Sequence, residues 1–474
     1  MLSKATFLSL LFLHISILNA QTPVSIGETY EISSTILGED RQLMVALPTD
    51  YEERMEEAFP VLYLLDAETN FHHTTACVAF LARNRRIPQM IVVGLVNSEG
   101  NRTRDLTPST EDANPRPGAG GADNTFRFMQ EELFPWVENR FRTLEYRTLV
   151  GHSFGGLFAI HGFIHHTSLF NSYLAISPSL WWDSQKMIKS QIEPFLTSNS
   201  DLRGHLYMTM ADEGGQMAGG GWKLAAMLEE NAGPNFLWDY EIMEEENHGT
   251  IPYRSTRQGL EFIFAQWNWD AKRRALRANG ISAIDGYEDE VQLLYGFDTP
   301  WDRQDMMTAA QRPFDRGETQ KAMGIYQLVT DKFPDFALAW QMLGECQTMA
   351  GNEGEAVASL RKALVIEPDN LAATVALRKL QLGDEALQVR ERVARQYVGQ
   401  YELDIGMTID VMAEDGKLRF NTAETEVEDL FPLEEEHSFY LTSRQAKFVF
   451  ILESGSAQTV RIETPEESMI GTKN

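Results

Sequence analysis

Through the first half of the chain, apolar residues come in short, nearly unbroken runs rather than alternating with polar ones. RQLMVALP (41–48), VLYLLD (61–66), MIVVGLV (90–96), RTLVGHS (147–153), NSYLAISPS (171–179), HLYMTMAD (205–212) and WDYEIMEE (238–245) each predict a β-strand. Runs of this kind suit a sheet covered by helices on both faces. Between them the period changes. FRFMQEELFPWVENRF (126–141) sets Phe126, Met129, Leu133 and Val137 at helical spacing, with Pro135 bending or dividing the element. The interval 252–271, with Gly259, Leu260, Phe262, Ile263 and Trp267, predicts a closing helix. Alternation of strand and helix up to about residue 273 predicts an α/β layered architecture. One polar stretch interrupts it, STEDANPRPGAGGADN (109–124), which reads either as a loop beside or over a pocket or as a plain surface insertion.

The pattern then changes twice. From Ala337, the residues Trp340, Leu343, Gly344, Ala356, Leu360, Ala363 and Pro368 fall at the spacing of a helix-hairpin unit of about 34 residues. One unit earlier, Ala310, Ala322, Tyr326, Val329 and Pro334 occupy matching positions. The spacing is similar to that of tetratricopeptide repeats and predicts a short all-α module. From Tyr397 onward, YVGQYEL, MTIDVMAEDGKLRFNT, HSFYLTSR, AKFVFILES and QTVRIET are β-branched and aromatic runs separated by turns, which predict a small all-β sheet or barrel. The first residues, MLSKATFLSLLFLHISILNA, combine one lysine, an apolar stretch and a small-residue cleavage pattern. They predict a secretory leader, a secreted or periplasmic location and no integral membrane segment once the leader is removed. The expected organisation is a leader over 1–20, an α/β domain over 21–275, a helical module over 276–396 and a β-domain over 397–474.

Charge narrows the partners. Asp and Glu number 69 against 41 Lys and Arg, a formal net charge of −28 in 474 residues. Such a surface repels phosphate backbones and excludes nucleic acid as a general partner. It leaves open a basic protein or peptide partner for the helical module. Cys77 and Cys346 read as two buried thiols rather than a disulfide framework. His72-His73 and His165-His166 are adjacent pairs whose side chains diverge, without the spacing of a metal-binding helix, and no glycine-rich phosphate or dinucleotide loop is present. Neither a metal nor a cofactor is expected.

The candidate chemistry lies in Gly151-His152-Ser153-Phe154-Gly155, a G-x-S-x-G sequence with an apolar run before it and a helix-like stretch after it. A serine on a sharp strand-to-helix turn needs small neighbours, and the amide of Phe154 points where an oxyanion would form. In this context the partners follow in the order serine, acid, histidine. His248, in EEENHGT before the closing helix, is the candidate base. His161, His165 and His166 sit on or just after the serine's own helix, and His205 begins a strand, all poor positions for a base. The acid is expected at the end of HLYMTMADEGG, as Glu213 with Asp212 the alternative. Glu244, Glu245 and Glu246 read as a solvated run. The second oxyanion amide is expected from Ala67 or Glu68, after VLYLLD. Trp181 and Trp182 are candidate pocket walls, and Arg104 in NRTRDL is a candidate for an anionic substrate group or for a salt bridge with Asp105 or Glu68.

The stretches VLYLLDAETNFHH, RNRRIPQMIVVGLVN with NRTRDLTPS, GHSFGG, SPSLWWDS, MADEGG and ENHGT, in that order, resemble the landmarks of the esterase family of α/β-hydrolases. That family includes enterobactin esterases, feruloyl esterases, S-formylglutathione hydrolases and mycolyltransferases. The resemblance covers about residues 25–270. It implies an α/β-hydrolase fold and serine-dependent hydrolysis of carboxylic esters, with Ser153 as nucleophile, His248 as base and Glu213 as acid. Acyl transfer by the same residues, or a scaffold acting through the helical module, are the alternatives.

Overall fold

In the computed structural model, which describes residues 24–474 except 99, 113, 299, 300 and 424, the apolar runs of the first half become one eight-stranded sheet. Its strands are β1 (Glu28–Ser34), β2 (Glu39–Ala46), β3 (Phe59–Leu64), β4 (Ile91–Leu95), β5 (Thr143–His152), β6 (Ser172–Ile176), β7 (Gly204–Ala211) and β8 (Phe236–Met243). They lie in the order β1-β2-β4-β3-β5-β6-β7-β8. The pairs β1–β2 and β2–β4 are antiparallel and all the others parallel. Every residue of β3, β4, β6 and β7 is buried, which is why these runs carry no alternation. The leader predicted over 1–20 lies outside the described residues.

Helices cover the sheet: α1 (Ala67–Arg83), α2 (Arg102–Leu106), α3 (Ala122–Phe128), α4 (Phe134–Glu138), α5 (Phe154–His165), α6 (Trp182–Ser190), α7 (Ile192–Ser198), α8 (Gly215–Asn231) and α9 (Ile251–Ile263). The helix expected over 126–141 is divided by a π-turn, Met129–Leu133, directly before Pro135, which has no N–H to continue the ladder and stands in the first turn of α4. The closing helix stops at Ile263 because Asn268 caps a new one, α10 (Trp269–Asn279), accepting the Ala271 amide at 3.1 Å.

The chain divides into two compact units. The first runs to Trp267 and takes back Leu293–Phe297, the second comprises Asn268–Gln292 and Asp298–Asn474. The returning segment has a clear role in the first unit. The Tyr295 hydroxyl donates to the Ile263 carbonyl at 2.9 Å, its ring stacks on His205, and Phe297 meets Tyr146 edge-on.

After α10, the chain forms α11 (Tyr287–Tyr295), α12 (Arg303–Asp315), α13 (Thr319–Lys332), α14 (Ala337–Met349), α15 (Glu353–Ile366), α16 (Leu371–Leu382) and α17 (Glu391–Ala394). The expectation of tetratricopeptide repeats is corrected here. The spaced small residues serve close contact within helix hairpins in general: a Cβ at Gly344 would stand 2.7 Å from Leu360 Cγ. Instead of a repeat array, the chain leaves α16 through Gly383 and ends in a closed β-barrel. Its strands are β9 (Gly399–Leu403), β10 (Thr408–Glu414), β11 (Lys417–Thr422), β12 (Glu428–Pro432), β13 (Ser438–Leu441), β14 (Ala446–Glu453), β15 (Ser456–Glu463) and β16 (Ser468–Lys473). Each pairs antiparallel with the next, and β16 pairs back on β9. Among the described residues no helix is long and apolar enough to cross a membrane, and Cys77 and Cys346 are both free and buried.

Candidate active site

Ser153 stands between β5 and α5 with φ 60° and ψ −113°, a backbone state that a non-glycine residue holds only under constraint. The surrounding backbone supplies it. Its N–H donates to the Ile176 carbonyl at 2.9 Å, and its carbonyl accepts from the Ser179 N–H at 3.1 Å. This closeness explains two of the glycines. A Cβ at Gly151 would lie 2.2 Å from the Gly155 carbonyl oxygen, and one at Gly156 would lie 2.9 Å from both the Ile176 oxygen and Pro178 Cα.

His248 reaches the serine from the connection between β8 and α9, with Nε2 3.0 Å from Ser153 Oγ. The turn that presents it is tightly bonded. Asn247 Oδ1 accepts the amides of Gly249 and Thr250 at 2.9 and 3.2 Å, and the Thr250 hydroxyl donates to Glu246 Oε2 at 2.6 Å. The Asp212 N–H donates to the Glu246 carbonyl at 3.0 Å and so ties this turn to the end of β7. The next residue then faces the imidazole: Glu213 Oε1 lies 2.6 Å from His248 Nδ1, close but not aligned as an N–H···O bond, and Oε2 is buried. Asp212 is exposed.

The other histidines are engaged elsewhere. His161 and His166 both hydrogen-bond Asp123, at 2.8 and 3.0 Å, and hold its carboxyl far below the usual range, while His165 meets Gln191 at 3.2 Å. Asp123, His161 and His166 could between them hold a metal ion, although their ligand atoms already bond one another. His205 is sealed inside β7, and burial pushes its pKa down to about 4. His152, the residue before the serine, has its ring centroid 4.5 Å from that of His248. Burial, then the charge of His248, pushes its pKa down to about 4, so it is neutral at pH 7 and adds no cation beside the base.

Asp66 opens the opposite wall in a left-handed conformation, φ 53°, and α1 begins directly after it at Ala67. The amides of Ala67 and Glu68 thus fall in a first helical turn without intrahelical acceptors, as does that of Phe154 at the head of α5. Asp66 is fixed by Arg102, whose Nε and Nη2 donate to its two carboxylate oxygens at 2.6 and 2.8 Å, and by Asn97 Nδ2 at 2.6 Å. The sequence reading missed Arg102. Arg104, expected at the pocket, is instead bound to Glu39 and Asp105, each at 2.7 Å, which fits the salt-bridge alternative for Asp105. Two positions apart on a one-turn helix, the two arginines face different ways.

A cavity of about 750 Å³ is bounded by Trp181, Trp182, Arg116, Lys189 and Lys223 together with Asp112 and Asp183, and the Phe154 ring meets Trp181 and Trp182 at centroid distances of 6.0 and 5.7 Å. Trp181 and Trp182 are both among the residues that line the cavity. Arg116 comes from the polar 109–124 stretch, and its guanidinium lies 5.6 Å from the Phe154 ring centroid and 5.4 Å from that of Trp181. No motif singled it out, and its signal was only its place in that loop. The loop is tied down by the Thr110 hydroxyl, which donates to Asp183 at 2.8 Å, and by the Trp182 indole N–H, which donates to the Pro108 carbonyl at 3.2 Å.

Over part of its length the chain is similar to known proteins. The ferri-bacillibactin esterase BesA of Bacillus subtilis (strain 168) is 34% identical over 148 residues, 28% of this chain and 51% of that protein. The siderophore triacetylfusarinine C esterase of Aspergillus fumigatus is 32% identical over 159 residues, 31% of this chain and 54% of that protein. The chain thus spans about half the length of these curated relatives. A crystal structure of an IroE-like serine hydrolase from Shewanella oneidensis superposes with a TM-score of 0.55 at 25% identity, over 64% of this chain and 99% of that one. Residues 34–248, the stretch that carries Ser153, Glu213 and His248, match the model of the family described as "Putative esterase".

Proposed function

We propose that the protein is a serine esterase that hydrolyses carboxylic esters through an acyl-enzyme. The observation that carries this reading is the 3.0 Å approach of His248 Nε2 to Ser153 Oγ, with Glu213 2.6 Å behind the imidazole. In the first step Ser153 Oγ attacks the ester carbonyl carbon as its proton passes to His248 Nε2. The carbonyl oxygen, now negative, receives the N–H of Phe154 and that of Ala67 or Glu68. His248 then returns the proton to the departing alcohol oxygen, and a water activated by the same nitrogen releases the acid. Glu213, not Asp212, holds the imidazole and balances its charge.

The cavity supports a substrate class. Trp181 and Trp182, with Arg116, Lys189 and Lys223 set against Asp112 and Asp183, suit an ester that carries an aromatic, polar portion, and relatives named as siderophore esterases favour a siderophore ester. The same reading gives the hydrolase the first unit, up to Trp267 with Leu293–Phe297, and leaves the helical segment and the β-barrel to the second. It also places the mature protein in a secreted or periplasmic setting, on the strength of the leader-like first residues.

The test is Ser153→Ala on hydrolysis of a short aryl ester, with a fluorophosphonate probe located by mass spectrometry. Turnover should fall by ~10³-fold or more with an unchanged circular dichroism spectrum, and the probe should attach at Ser153. A folded variant with wild-type turnover would overturn the assignment.

A further inference from the structure

The strands of the C-terminal barrel follow one another around its wall, so successive connections alternate between its two ends. One end is closed by the incoming chain. Ala394 and Tyr397 are buried, Val389 and Val393 pack on the same core, and the Tyr397 ring meets Phe439 and Phe450 at centroid distances of 5.1 and 4.9 Å. The Tyr397 hydroxyl also pairs with His437 Nδ1 at 2.8 Å, from the β12–β13 connection at that same end. Tyr401 and Phe450, with centroids 5.8 Å apart, help fill the interior next to this plug.

The other end is different. There the β9–β10, β13–β14 and β15–β16 connections surround a cavity of about 550 Å³, walled by Leu403, Phe420, Leu441 and Phe448. Ile405 and Met407 stand on its rim, 55% and 42% exposed. An eight-stranded barrel is wide enough either to be filled by its own side chains or to hold one small ligand. This barrel is filled at the plugged end and left open at the mouth. Water in an apolar recess finds few polar partners, so an apolar molecule that displaces it gains free energy. The volume lies within the range of about 300–1,000 Å³ common to small-molecule sites. Charge at the rim is of both signs, with Arg444 on one connection and Glu466 and Glu467 on another. With one cation against two anions, it offers no concentrated charge of one sign that would select a charged head group.

We propose that the mouth of this barrel binds one small, neutral, apolar molecule, such as an alkyl chain or a fused aromatic ring. The site is separate from the Ser153 chemistry and does not depend on it.

The test uses the full chain and the neutral fluorophore N-phenyl-1-naphthylamine. Its emission should rise with a saturable, one-per-chain isotherm and be displaced by decanol at least as well as by decanoate or decylamine. Ile405→Glu and Met407→Glu, both at half-exposed positions that leave the core intact, should each weaken binding at least ~10-fold, with unchanged circular dichroism and aryl-ester turnover. Trp181→Ala, in the cavity lined by Arg116 and Trp182, should leave the isotherm unchanged. Absent or non-saturable binding, or binding that survives both rim substitutions or disappears only with Trp181→Ala, would overturn the site. Stronger displacement by decanoate or decylamine would overturn the neutral class. A dimer in light scattering that the rim substitutions dissociate would give the mouth to a second copy instead.

Discussion

Arg102 grips both carboxylate oxygens of Asp66, at 2.6 and 2.8 Å, and with the same Nη2 reaches the carbonyl of His152 at 3.2 Å. One guanidinium therefore joins the start of α1 to the residue before Ser153. On the proposed mechanism these are the two walls that supply the oxyanion amides, and their separation has to be right to a fraction of an ångström.

Arg102→Lys keeps the charge and loses the two-pronged grip. It should lower kcat for aryl esters by ~10-fold or more while changing KM little, and reduce stability by about 1–3 kcal/mol because Asp66 is left buried with fewer donors. Steady-state kinetics beside urea melts would separate these effects. Unchanged kcat in a destabilised protein would confine the pair to a structural role.

Glu213→Gln and Asp212→Asn provide an internal comparison, since the residues are adjacent and only Glu213 approaches His248. The first should cost ~10²-fold or more in kcat and the second less than ~3-fold. Equal losses would mean that the acid is not resolved by side-chain position.

Stability should depend on pH through the buried histidines. His205 has its pKa pushed down to about 4 by burial, against an unfolded value of about 6.5. Above that unfolded value neither state binds the proton and the full stability is present. As pH falls toward 4 the unfolded chain takes up a proton that the native site refuses, so stability drops, by up to about 3 kcal/mol from this group. His205→Phe keeps the stack on Tyr295 and should flatten that part of the curve. Urea melts between pH 7.5 and 4.5 would show it, and an unchanged slope would refute the assignment.

Most of the sheet was legible because buried parallel strands write themselves as unbroken apolar runs. The candidate serine, histidine and acid could be named because a strand–turn–helix context sets the order in which such partners are sought, and the structure brings Ser153, His248 and Glu213 together. β1 was missed: ETYEISS intersperses its apolar residues with acids and serines, and its outward positions are exposed. Arg102 was passed over for Arg104 because a sequence does not say which way each residue of a single turn faces. The tetratricopeptide reading failed for a related reason. Small residues at helix crossings record that two helices touch, not which family of hairpins they form.

The returning segment Leu293–Phe297 bears on where the hydrolase unit can be cut. A chain ending at 275 loses the Tyr295 bond to Ile263 and the ring against His205, whereas one ending at 298 keeps both. Both should hydrolyse a short aryl ester, but the shorter should melt several degrees lower, as expected for losing two buried aromatic side chains. Differential scanning calorimetry of the two truncated forms would decide the matter. Equal melting temperatures would show that the segment contributes nothing to the unit.

The closing of the barrel has a consequence for solubility. β16 pairs with β9 along Gly471–Lys473, and the Asn474 N–H donates to the Gln400 carbonyl at 2.9 Å, so every strand has a neighbour on both sides. Removing the last strand would uncover two hydrogen-bonding edges at once, on β9 and on β15, each able to recruit a strand from another molecule. A short loss at this terminus thus converts a self-contained domain into a seed for association between chains.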